Sequence, residues 1–134
     1  MIYSFVVALG LLFTYQGQAK SPSLTINIHA IREPKGLIQI ELLNDQKISV
    51  AHKTIVATMD AKVTFSDLPS GEYAVRLFHD QNNNEKLDTN LIGIPTEGYG
   101  FSNDAHGMFG PYPFKRWLVG IEGDTIITIT LNYL

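Results

Sequence analysis

The sequence of 134 residues contains no cysteine. No disulfide can staple the fold, so stability must come from packing, with a bound ion as the other available cross-link. It has no basic cluster: 10 Lys plus Arg residues stand against 13 Asp plus Glu, for a net charge of −3, and the cations are scattered. That balance argues against nucleic acid as a partner. No apolar run reaches the roughly 20 residues that a bilayer span needs. No segment holds a period of 3.6 residues, so helices are not expected to build the fold. Close-spaced zinc ligands and an activated serine or cysteine are missing too, which removes the commonest sequence signs of an enzyme.

What is present begins with an apolar stretch over residues 2–13, followed by QGQA and then Lys20. Small residues at the two positions read by a signal peptidase give this the layout of a signal peptide over residues 1–19, although no Lys or Arg precedes the apolar run. The expected mature domain is residues 20–134, periplasmic or secreted, with no membrane span left after cleavage. About 115 residues can bury roughly two-thirds of their unfolded surface, enough for one independent core.

Residues 24–30 (LTINIHA) alternate apolar and polar, and residues 37–42 (LIQIEL) resume the alternation with Ile38, Ile40 and Leu42 inward. The REPKG turn between them predicts a hairpin. Residues 44–50 read as a loop or one helical turn, and residues 52–59 and 62–65 as further strands. At FSDLPSGEY, Pro69 and Gly71 set a corner from which Tyr73 can bond its hydroxyl back to the turn. Tyr73, Val75 and Leu77 then fall on one face, and Ala74, Arg76 and Phe78 on the other. Residues 115–121 and 124–133 are expected to close the fold as a pair turned at residues 122–124. The sum is an all-β fold: a single antiparallel β-sandwich of about seven strands, transthyretin- or immunoglobulin-like, with one long ordered loop.

That loop, residues 78–114, is the candidate site, because a connection of about 35 residues in a compact domain is usually functional or disordered. Its first half places Asp80, Asn82, Asn84 and Asp88 at positions one, three, five and nine, with the main-chain oxygen of Lys86 at seven. Hard oxygens at that spacing are what a calcium-binding loop curls inward. Glu85 stands where such loops prefer glycine, and Leu91 where a bidentate Glu would close the shell, so Asn90, Glu97 and Asp104 are the candidates for a further ligand. The alternative is an Asn-rich turn that bonds its own backbone without metal.

The second half alternates aromatics with glycine and proline. Tyr99, Phe101, Phe109 and Tyr112 would either present a surface to a protein or glycan of the cell envelope, or pin the loop onto the sandwich as a satellite core. His79, Glu97 and His106 are the only residues that suggest hydrolase-type chemistry, and the protein is expected not to be an enzyme. It is expected to be a monomer.

Residues 78–90, then GIPTEGYGFSN at 93–103 and FGP at 109–111, closely resemble an exported bacterial family known as domain of unknown function 2141, and the resemblance extends over residues 24–133. It implies a secreted or periplasmic β-sandwich with no established activity. The family usually carries glycines in a D-x-N-G-N-G-K-L-D type run; here Asn83 and Glu85 occupy those positions. The corner from Phe65 to Tyr73 is also similar to that of carboxypeptidase-regulatory and transthyretin-like modules, a likeness of fold and not of function.

Overall fold

The structure is a computed structural model that describes residues 11, 12, 14, 17, 18, 20–108 and 110–134. The expected signal segment therefore falls largely outside the described residues, as does Phe109. The strands are β1 (Leu24–His29), β2 (Leu37–Asn44), β3 (Ser49–Val56), β4 (Lys62–Phe65), β5 (Gly71–Asp80), β6 (Tyr99–Phe101), β7 (His106–Gly107), β8 (Gly110–Pro111), β9 (Val119–Ile121) and β10 (Thr125–Thr130). One sheet has the order β10-β1-β4. The other runs β3-β2-β5, and both β6 and β9 pair with the far edge of β5. β7 and β8 form a separate short ribbon.

The two sheets meet over one core. Leu24, Ile26, Ile28, Val63, Phe65 and Ile129 come from the smaller sheet, and Ile38, Ile40, Leu42, Val75, Leu77 and Ile121 from the larger. These are the apolar positions of the alternating runs, and each such side chain contributes about 1.5–3 kcal/mol on burial. The expected all-β sandwich is the observed one.

Strand pairing differs from expectation in two places. β1 and β2 do not make a hairpin: β1 pairs with β4 and β10, while β2 pairs with β3 and β5. The turn-like residues between them form a crossover from one sheet to the other, with Ile31 buried beneath it. Gly36 ends the crossover at φ +76°, where an added Cβ would collide with the Asp80 carbonyl. Residues 44–50, read as a loop or one helical turn, carry the loop of a hairpin joining β2 to β3, with the strands reaching in to Asn44 and Ser49 and Asn44 Oδ1 accepting the N–H groups of Gln46 and Ile48.

The chain's last two strands do not pair either. β9 joins β5 and β10 lies parallel to β1, so the sandwich is not wholly antiparallel. Asp124 sets that parallel register by accepting the Ser23 N–H at 2.9 Å, just before β1. The Ser23 backbone bond is the chief cause holding the Asp124 carboxyl below its usual range.

β5 is the central strand, and its two faces divide the molecule. Tyr73, Val75 and Leu77 point into the core, as the alternation predicted. The Tyr73 hydroxyl donates to the Pro69 carbonyl at 2.6 Å, so the corner closes as its sequence indicated. Ser102 fills the break between β6 and β9 on the edge of β5: its Oγ accepts the Val75 N–H at 2.9 Å and donates to the Trp117 carbonyl at 2.5 Å.

Candidate functional site

The even-numbered residues of β5 face away from the core, and the long connection folds back over them. Three zones result. At one end Ala74 and Leu43 lie beneath Trp117 and Ala105, with Phe101, Phe114 and Leu118 packed around them. In the middle Arg76 and Phe78 floor an open groove. At the far end Asp80 anchors the polar loop.

The aromatic zone is a small second core. Phe101 stacks on Trp117 with ring centroids 4.4 Å apart, and Phe114 meets Trp117 edge-on at 5.3 Å. The Trp117 indole N–H donates to the Tyr112 carbonyl, while Arg116 covers the Tyr112 ring at 4.1 Å. Tyr99 is buried against Phe101 and His106. Of the aromatics proposed as a surface, Tyr99 and Phe101 thus pack as a satellite core while also lining the groove, and Tyr112 remains partly exposed. Beside Tyr99, Gly98 leaves room for the Tyr133 ring, which an added Cβ would meet at 2.5 Å.

The polar zone is held by side chains bonding to backbone. Asp80 is fully buried. Its Oδ1 accepts the Asn84 N–H at 3.0 Å; its Oδ2 accepts the Glu85 N–H at 2.9 Å and a hydrogen from Gln39 Nε2 at 3.2 Å. Glu97, also buried, clamps the loop at both ends, taking the Gln81 N–H at 2.7 Å and the Asp88 N–H at 3.0 Å. Asn82 and Asn84 donate through their side-chain amides to the two Asp88 oxygens, at 2.6 and 2.7 Å. The Asn84 bond is the chief cause that holds the Asp88 carboxyl below its usual range. Asn83 and Glu85 adopt φ of 57° and 62°, the left-handed region natural to glycine.

The proposed calcium ligands therefore gather in part. Asn82, Asn84 and Asp88 converge on one point, with Asp80 and Lys86 in the same turn. Glu97 adjoins that turn. Asn90 caps its own tight turn instead, accepting the N–H groups of Ile92 and Ile94, and Asp104 accepts the Thr130 N–H at the edge of β10. Among the described residues, no three His, Cys, Asp or Glu side chains lie close enough to hold a metal by themselves. Any ion here would depend on amide and main-chain oxygens, which suits calcium rather than a transition metal. A carboxylate offers about four lone-pair positions; Asp80 uses three, leaving one at Oδ1 for an ion.

The residues that suggested hydrolysis do not form one constellation. His79 is buried, with Nδ1 2.8 Å from the Tyr133 hydroxyl and Nε2 2.6 Å from the Lys35 carbonyl. The carbonyl can only accept, so Nε2 carries a proton. Burial pushes the Tyr133 phenol above its usual range, with the Arg32 backbone N–H opposing. Glu97 faces the loop amides, and His106 meets Tyr99.

Sequence reasoning missed the groove, a space of about 1030 Å³ lined by Gln39, Glu41, His52 and Arg76 together with aromatic and aliphatic side chains. Its floor is drawn from two cross-strand rows. His52, Glu41, Arg76 and Phe101 lie opposite one another across β3, β2, β5 and β6; Thr54, Gln39, Phe78 and Tyr99 form the next row. Arg76 pairs with Glu41 through Nε. Burial raises the Glu41 carboxyl, but hydrogen bonds from Arg76 and Ser49 and the charges of Arg76 and His52 outweigh it, so the group titrates below its usual range. The one signal in the sequence was the placement of Gln39, Glu41 and Arg76 opposite the core, which a solvent-facing strand would show equally.

The geometry defines a class: a two-sheet β-sandwich with an ordered connection folded over the outer face of its larger sheet. The chain belongs to the bacterial family described as "Uncharacterized protein conserved in bacteria (DUF2141)", whose model matches residues 26–128. No curated protein and no solved structure matches it. No helix among the described residues is long and apolar enough to cross a membrane.

Proposed function

We propose that the protein is an exported, non-catalytic binding module whose 80–88 loop holds calcium structurally and keeps the long connection in its binding shape. Export rests on the signal-like layout of residues 1–19. The observation that carries the binding role is the groove between the connection and the outer face of the larger sheet, since concave sites with a few convergent polar groups are where ligands usually bind. Gly93, Ile94, Pro95, Met108, Gly110 and Pro111 supply its walls, so whatever fixes the connection fixes the groove.

The side chains of Asn82, Asn84 and Asp88 already meet, and rotation of the two amides would present oxygens where nitrogens now point. Asp80 through Oδ1 and the main-chain oxygen of Lys86 would complete the set. With two carboxylates the site belongs to the weak, extracellular end of calcium affinities, and an ion bound at about 0.1 mM in millimolar calcium would add about 1.5 kcal/mol.

A metal-free interaction module for an envelope protein or glycan is the second reading. It is favoured by the internal hydrogen bonds that occupy Asp80, Asp88 and Glu97. Calorimetric titration of the chelator-treated protein with calcium separates the two. The calcium reading expects heat at sub-millimolar affinity and a rise in melting temperature, both lost in Asp88→Asn. Absence of both in the unaltered protein leaves the metal-free module.

A further inference from the structure

From the groove we infer the class of its ligand, resting on the binding-module reading above: a single amphipathic organic anion, with an apolar or aromatic body and one carboxylate or similar oxyanion end, the latter seated on Arg76. The polar groups of the groove's floor are Gln39, Glu41, His52 and Arg76, and Gln39 and Glu41 are already engaged. Gln39 accepts from the Thr54 hydroxyl at 2.7 Å and donates to Asp80 at 3.2 Å. Glu41 takes the Arg76 Nε–H. A guanidinium has five N–H donors. Among the described residues, only the Nε donor of Arg76 has a protein partner, so its terminal nitrogens present a planar fork to the groove. That fork matches a carboxylate or related oxyanion.

Around it the lining includes Phe78, Tyr99, Phe101, Trp117, Ile94 and Pro95, which offer no donors in series. A glycan would leave most of its hydroxyls facing hydrocarbon there, each without a hydrogen bond. An apolar body gains from the same surface. The volume of about 1030 Å³ suits one molecule of drug size. Glu41, directly opposite Arg76 across β2 and β5, holds the guanidinium in place. It also offsets part of the arginine's charge, so the pair should respond in opposite directions when each member is neutralised.

Trp117 is the only tryptophan and lines the groove, so its emission reports occupancy directly. The full chain is titrated with two probes of one aromatic body: 1-anilinonaphthalene-8-sulfonate, which carries an anionic group, and N-phenyl-1-naphthylamine, which does not. Both are expected to quench Trp117. Arg76→Gln should weaken the sulfonate by about tenfold, the scale of one charge-assisted pair, and Glu41→Gln should tighten it severalfold, while the neutral probe moves in neither variant. Near-UV circular dichroism must stay unchanged in both, which separates groove binding from binding to a loosened core. If the neutral probe binds and the sulfonate ignores both substitutions, the anion inference falls and the binding module stands. If neither probe quenches Trp117, both fall. A dimer seen by sedimentation that dissociates as a probe binds would assign the groove to a second copy of the chain and overturn the inference.

Discussion

The two halves of the long connection are held down by different physics. Residues 99–108 and 110–118 are fixed by packing: Trp117, Phe101 and Phe114 bury aromatic surface on Ala74 and Leu43. Residues 81–98 bury few side chains, and Leu91 and Ile92 project into solvent. That half is fixed by Asp80 and Glu97, two buried carboxylates that accept four backbone N–H groups at 2.7–3.0 Å. Hydrogen bonds define positions sharply but contribute only about 0.5–1.5 kcal/mol each, or about 1.5–3 when one partner is charged. Aromatic burial contributes more energy and defines position less narrowly. The groove lies between the two, with its chemistry supplied by a sheet face that neither half covers.

The comparison breaks most visibly at Trp117. Trp117→Ala removes the centre of the aromatic cluster and should cost about 3–4 kcal/mol, read as a fall in the midpoint of urea unfolding. It should also open the aromatic end of the groove. A loss below about 1 kcal/mol would mean that the aromatics are not what holds this half. A smaller effect of opposite sign is expected in the polar half. Glu85 sits at φ 62° with its side chain exposed, and the left-handed region costs a residue with a Cβ about 1–2 kcal/mol. Glu85→Gly should therefore stabilise by roughly 0.5–1 kcal/mol, since glycine returns part of the gain as unfolded-chain entropy. A clear loss in thermal melting would mean that the Glu85 side chain has a partner.

How much of this was readable beforehand follows the same division. Period-two alternation told which residues of β1, β2 and β5 face inward, because side-chain direction is a local property of a strand. It could not tell which strand lies beside which. The hairpin assigned to β1 and β2, and the pair assigned to β9 and β10, were connections that cross between sheets, and a proline–glycine turn marks a reversal without saying into which sheet the chain returns. The Tyr73 bond to Pro69 was legible because donor and acceptor are a few residues apart, and the same closeness made a self-bonded 80–88 loop the alternative to a calcium loop. The left-handed conformations of Asn83 and Glu85 were not legible, because neither residue is a glycine. The groove was not legible, since Glu41, Arg76 and Pro95 meet only after two sheets and a folded connection are assembled.

Amide hydrogen exchange in Asp80→Asn, residue by residue, tests most directly whether the two halves are held separately. The substitution keeps the size of the side chain but turns one of its acceptors into a donor facing amides that need an acceptor. Exchange should accelerate at Asn84 and Glu85, and spread to Gln81 and Asp88, while the amides of Val75, Ala105 and Arg116 keep their protection. Acceleration throughout residues 81–118 would show that the connection opens as one unit, and would contradict an account in which the polar half and the aromatic half are anchored independently on the outer face of β5.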